Sequence, residues 1–102
     1  MISPTVGRVV WFHPGSGDRI MRYPDQPLAA HIAHVWSDTN VNLMVIDADG
    51  ACCSRTSIFL MQDGGRPVSS GEAYCEWMPY QKGQAARTEA AEAAVRSQTS
   101  VE

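Results

Sequence analysis

Between Leu28 and Met61 the chain reads LAAHIAHVW, SDTN, VNLMVI, DADG and ACCSRTSIFLM in succession. Apolar runs of strand length alternate with clusters of turn formers, and nothing between them is long enough for a crossover helix. Leu28 to Trp36 alone has two readings, since its alanines suit a helix while Ile32, Val35 and Trp36 suit a strand. Its neighbours decide for the strand. Ser37-Asp38-Thr39-Asn40 is a turn signal, and Val41 to Ile46 alternates Val41, Leu43 and Val45 against Asn42, Met44 and Ile46, which makes a hairpin. Asp47-Ala48-Asp49-Gly50 closes a second hairpin, with Gly50 free to take the positive φ that such turns need.

The flanks follow the same pattern. Thr5 to Phe12 (TVGRVVWF) is rich in β-branched and aromatic types and ends at His13-Pro14-Gly15-Ser16-Gly17-Asp18, so a strand followed by a loop is expected. Arg19 to Tyr23, followed by Pro24 and Pro27, fits an edge strand or an irregular segment. Gly64 to Gly71 reads as a loop. Tyr74 to Tyr80 reads as the last strand, with Pro79 near its end, where a missing amide donor is least harmful. The fold class is therefore mainly β: a small antiparallel β-barrel or sandwich over residues 1–81, then an Ala/Glu/Arg-rich C-terminal helix or tail over 82–102. A chain of 102 residues suits a single core.

Gln84 to Gln98 is expected to be helical, with Glu92 and Arg96 spaced as an i, i+4 pair. Val95 is its one large apolar residue, so it is either a solvated tail or packs its alanines on another copy. In Val9 to Phe12, Val41 to Ile46 and Ser57 to Met61, both strand faces are apolar, whereas a lone barrel buries only the inner one. Met44, Ile46, Phe59 and Met61 are thus expected beneath the C-terminal segment or in a homo-oligomer interface.

A formal net charge of −3 and a pI near 5.5 argue against duplex nucleic acid, whose partners carry a basic stripe. Three cysteines are an odd number, and the adjacent Cys52 and Cys53 would strain a disulfide, so a reduced, cytosolic setting is expected. Nothing resembles a signal peptide, and the apolar runs are shorter than a membrane span.

Chemistry-bearing constellations are sparse. His31 and His34 form H-x-x-H, but on a strand they do not share a face as they would on a helix, and Cys52, Cys53, Cys75 and His13 lack metal-ligand spacing. Asp47 to Gly50 opens like a calcium loop, yet Ile58 stands where its bidentate Glu would be. Gly15-Ser16-Gly17 and Gly64-Gly65-Arg66 lack a Walker lysine and a following helix, and no serine sits in a nucleophile elbow. No enzyme activity, metal or cofactor is expected. Binding is better supplied. Trp11, Trp36, Trp77, Tyr23, Tyr74 and Tyr80 offer flat rings, and Arg8, Arg55 and Arg66 offer planar cations that stack on rings or fork onto phosphate. Arg8 and Arg55 fall inside predicted strands, where a charge must face solvent, an interface or an anion.

The runs Pro27-Leu28-Ala29-Ala30, Val35-Trp36-Ser37-Asp38, Val41-Asn42-Leu43-Met44-Val45, Arg55-Thr56-Ser57 and Tyr74-Cys75-Glu76-Trp77-Met78-Pro79-Tyr80-Gln81 carry a further signal. With their V-N-L-x-V strand, T-S strand and terminal W-x-P, the chain from Pro4 to Ala86 resembles short, mostly unassigned proteins of tailed bacteriophages. The resemblance implies a compact β-barrel in the cytoplasm of an infected bacterial host, and it brings no catalytic residues. Small phage proteins of this kind often antagonise host defence, some as oligomeric sponges for cyclic-nucleotide signals. The expectation is a non-enzymatic sponge for a nucleotide-like ligand, a cyclic nucleotide or ADP-ribose derivative, held by Arg8, Trp11, Asp38, Asn42, Arg55, Trp77 and Tyr80. Rings would stack on bases, guanidinium groups would hold phosphates, and Asn42 or Asp38 would read a base edge or ribose hydroxyl. The alternatives are a virion or assembly component and a protein-binding inhibitor of a host defence complex.

Overall fold

The hairpin pattern is realised as five strands in the computed structural model, which describes residues 1–84 together with 87, 88 and 91. They are β1 (Val9–His13), β2 (Leu28–Ser37), β3 (Asn40–Ile46), β4 (Cys52–Met61) and β5 (Tyr74–Glu76). Neighbours from β1 to β4 pair antiparallel, and β5 closes the barrel by pairing antiparallel with β1 and parallel with β4. The expected mainly-β barrel is therefore the fold, with one parallel pairing in it. Residues 62–73 make that pairing possible, because a parallel neighbour needs a connection of about a dozen residues. Closure also needs bends. The β2–β3 register shifts after Ile32 and after Val35, and the β3–β4 register shifts between Val41 and Leu43. Opposite that last shift Ser57 takes φ 54°, in the left-handed region.

Alternation fills the barrel as the sequence requires. Val10 and Phe12, Leu28, Ala30 and Ile32, Val41, Leu43 and Val45, Ile58 and Leu60, Cys75 and Trp77 all point inward and are buried. Burial, then the nearby Glu76 charge, pushes the Cys75 thiol up to about 12, so it packs as a small apolar group. All three cysteines are free thiols. Gly50 has φ +91° in the β3–β4 turn, as expected. Gly15 serves closer packing: a Cβ there would stand 3.0 Å from both the Ala73 amide nitrogen and the Gly71 carbonyl oxygen, where the two long loops cross.

The structure corrects several expected boundaries. β1 begins at Val9, because the Arg8 amide folds back onto the Thr5 carbonyl in a turn (3.3 Å). β5 stops at Glu76, and Pro79 opens helical turns at 79–84. Proline is at home there, since the first helical position needs no amide donor and favours its fixed φ. Gln81, two residues on, accepts the Met78 amide at Oε1 (2.9 Å), half of a capping box, and donates from Nε2 to the Val9 carbonyl (2.8 Å). The helix thus starts earlier than Gln84 and is tied to the barrel across residues 81 and 82. Val95 and the Glu92/Arg96 pair lie outside the described residues. Among the apolar side chains expected outside the barrel, Phe59 is covered, only 8% exposed, while Met44 is 40% exposed and Ile46 and Met61 are half-buried. The loop residue Arg66 lies over the Phe59 ring, which is why that ring needs no second chain. No helix among the described residues is long and apolar enough to cross a membrane.

Candidate functional site

The seven residues expected at a ligand line neither of two grooves that the barrel presents, although the structure brings Arg8 to Trp77. Trp77 is 1% exposed, and its indole N–H donates to Gln62 Oε1 (3.1 Å). Gln62, itself buried, also accepts the Ile2 amide (3.1 Å) and donates to the carbonyls of Ile2 (2.6 Å) and Asp38 (2.9 Å). Trp77 is thus a core ring that helps fasten the N-terminus, a correction to its expected role as a stacking face. The Arg8 guanidinium carbon stands 5.8 Å from the centre of that ring, and Tyr80 is 70% exposed.

Arg55 is committed as well. Its Nε and Nη2 donate to the two Asp18 carboxylate oxygens (3.0 and 2.9 Å), and its Nη1 donates to the Ser54 carbonyl (2.7 Å). That fork pins the β1–β2 loop to β4 and holds the Asp18 carboxyl below its usual range. Asn42 is likewise occupied: its Oδ1 accepts the Trp36 indole N–H (3.0 Å) and the Ser57 amide (2.8 Å), which fixes the β4 bend. Trp11 lies half-buried on the outer face of β1, and Asp38 is exposed in the β2–β3 turn. On the outer face where β1 meets β5, His13 stacks on Tyr74 (centroids 4.5 Å apart) and places Nε2 2.7 Å from a Glu76 carboxylate oxygen. Burial and then Glu76 raise the Tyr74 hydroxyl above its ordinary value.

A different set converges. The β2–β3 turn, the β4 bend and the loop after β4 enclose a groove of about 460 Å³, walled by Ser37, Thr39, Asn40, Ser57, Phe59 and Arg66. Such a volume lies within the range of small-molecule sites, about 300–1,000 Å³. Asn40 and Phe59 are register partners of β3 and β4, so their side chains are neighbours on one face. The Arg66 guanidinium carbon lies 3.7 Å from the centre of the Phe59 ring. Its edge forks onto Glu72, Nη1 to Oε1 at 2.9 Å and Nη2 to Oε2 at 2.7 Å, while half of the side chain stays exposed. Arg66 and then the Ser69 amide bring the Glu72 carboxyl from its ordinary value down to about 2. Asn40 Oδ1 is shut off from solvent and has no hydrogen-bond partner. A buried acceptor left unmade is costly, and such groups in native proteins are commonly met by an ordered water.

Family models, curated proteins and solved structures contain no match to this chain. The site is therefore read from its own chemistry. It offers a flat cation whose charge is neutralised along its edge and hydroxyls from Ser37, Thr39 and Ser57. Among the described residues no three His, Cys, Asp or Glu side chains converge as a metal site requires. A second groove of about 460 Å³, at the β3–β4 turn, has apolar and acidic walls that include Tyr23, Asp25, Ile46 and Asp47.

None of the seven expected residues lines the first groove. Asp38 sits in the turn between two of its hydroxyls, however, and Asn42 holds Ser57 in place. Asn40 reads in the sequence as a turn former, and its unpaired acceptor appears only in three dimensions. Ser57 did leave a trace: the polar run before it and the unbroken apolar run Ile58 to Met61 after it mark a break in alternation, the sequence sign of a bulge.

Proposed function

We propose that this chain is a non-enzymatic binding protein that sequesters a small nucleotide-derived ligand in the groove between the β2–β3 turn and the β4 bend. It acts in the cytoplasm of a phage-infected bacterium, as a homo-oligomer that denies the ligand to a host defence pathway. The observation that carries this reading is the half-exposed Arg66 guanidinium laid over Phe59 in a groove also walled by Ser37, Thr39 and Ser57. A planar, hydrogen-bonding ligand meets the guanidinium and the hydroxyls at once. The arginines also indicate which part of the ligand matters. Arg55 and Arg66 spend their forks on Asp18 and Glu72, so they contribute planes and local order more than phosphate grips.

Purified protein denatured and analysed by mass spectrometry should release a nucleotide-like molecule. Cyclic dinucleotides or ADP-ribose derivatives should raise its melting temperature by mass action. A clean release spectrum and a flat melting temperature across that panel would remove the sponge. The assembly-component reading would then gain weight from the exposed Met44 and the half-buried Trp11 on the outer face.

A further inference from the structure

We propose that His31 and His34 form half of a divalent-metal site, zinc in type, which a second copy of the chain completes. In the sequence the pair is an H-x-x-H on a strand, where residues three apart fall on opposite faces. The β2–β3 register overturns that expectation. One extra residue of β2 is taken up between Ile32 and His34, and this bulge moves the strand's alternation on by one place. His31 is the partner of Met44, and His34 is the partner of Asn42. Met44 and Asn42 flank Leu43 on β3, whose side chain lies in the core, so both of them point outward. Ladder partners share a face, which sets both imidazoles outside the barrel at places about 7 Å apart. Burial agrees: Ala33 and His34 are exposed in succession, where strict alternation would turn His34 inward.

The His34 ring is also oriented. It meets the Trp36 ring edge-on, with centroids 4.4 Å apart, and the Trp36 indole N–H is itself held by Asn42 Oδ1 at 3.0 Å. A zinc-type ion takes about four ligands, with neutral imidazole among the preferred ones. The same chain does not supply the remainder. Across the ladder His31 has Val9 and Met44 for neighbours and His34 has Asn42, whose Oδ1 already accepts from Trp36 and Ser57. Among the described residues no third His, Cys, Asp or Glu joins the pair. A second copy does supply them. Met44, beside His31, is 40% exposed, and a twofold contact through this face sets the patch against itself. The two imidazoles of one protomer then meet the same two of its partner, and together they make the closed tetrahedral set of a structural site. The ligand groove has no part in this, since neither histidine lines it.

Titration calorimetry and light scattering on tag-free, full-length protein, stripped with a chelator and then given zinc chloride, test the site. One zinc per two chains is expected. The protein concentration at which the dimer forms should fall by about tenfold or more, because an ion held only by the dimer favours it by mass action. His31→Gln and His34→Gln should each abolish both effects and leave the metal-free melting temperature unchanged, since neither ring belongs to the core. His13→Gln removes the remaining histidine, which lies against Glu76 on another part of the outer face, and should leave zinc binding as it is. In wild-type protein, zinc should shift the ring resonances of His31 and His34 and not those of His13, a readout that depends on no variant. One zinc per chain at unchanged mass overturns the sharing between copies. Zinc binding that survives both His31→Gln and His34→Gln, or no zinc binding at all, overturns the site itself.

Discussion

Gln62 is the one polar side chain among the buried residues described, and it is satisfied four times over by Ile2, Asp38 and Trp77. Taking the amide away strands the buried Trp77 indole N–H and releases both partly buried Ile2 backbone groups. Gln62→Leu is therefore expected to cost about 2–4 kcal/mol, read as a lower urea midpoint at unchanged slope. A shift within error would mean that water repairs the gap. Ser57 is the opposite situation, a residue held against its preference at φ 54°. An L-residue there gives up about 1–2 kcal/mol, partly offset in glycine by its greater unfolded-state entropy, so Ser57→Gly should raise stability by about 0.5–1 kcal/mol. If the Ser57 hydroxyl faces a ligand as proposed, the same change weakens binding, and stability and affinity move in opposite directions. A Ser57→Gly protein less stable than wild type would show that the bend is not strained.

At the scale of elements, two long loops are fastened by arginine–carboxylate forks, and acid should release both. The fork from Arg55 lowers the Asp18 carboxyl from 3.8, and the fork from Arg66 takes Glu72 from 4.5 to about 2. A depressed carboxyl contributes stability above its unfolded value and loses it as pH falls through the folded one. Amide protection in the loop after β4 should thus be flat from neutral pH down to about 4.5 and decline between about 4.5 and 2, and protection in the β1–β2 loop should decline only below the ordinary Asp18 value of 3.8. Asp18→Asn should remove that decline from the β1–β2 loop alone, and a decline that persists there would sink the assignment. Much of this architecture is legible in the chain itself. The Ser37–Asn40 and Asp47–Gly50 turns delimit β2, β3 and β4 because turn chemistry and period-2 alternation agree there. The end of β5 is not legible, since Trp77, Met78 and Tyr80 suit a strand, and only Gln81 reaching back to Met78 shows that Pro79 begins a helix. The site is hidden for a related reason. Arg55, Asn42 and Trp77 have the side chains of ligand-binding residues, but Asp18 and Arg55 lie 37 positions apart, and no local pattern reports that they meet.

For the whole molecule, closure of the barrel settles how copies can meet. With β5 paired on both sides the sheet has no long free edge, so association must use faces. The outer face of β1, β2 and β3 is the apolar one: Val9 pairs with His31 and His31 with Met44, while Trp11 pairs with Ala29 and Ile46 lies at the end of β3. Loop 62–73 shields Phe59 on β4, but no described segment does the same for Met44, which stays 40% exposed. Burying such a side chain between copies gains about 25 cal/mol per Å² of apolar surface removed from water. Light scattering should therefore give a multiple of the 11.1 kDa chain mass. Met44→Lys should shift the mass toward the single chain at unchanged fold, because Met44 takes no part in the barrel core. Ligand binding supplies the decisive contrast. The groove is walled by β2, β3, β4 and the loop after β4 of one chain, so the Met44→Lys protein should keep, as a monomer, the melting-temperature response to whichever cyclic dinucleotide or ADP-ribose derivative raises that of the wild type; loss of that response together with mass would place part of the site on a second copy.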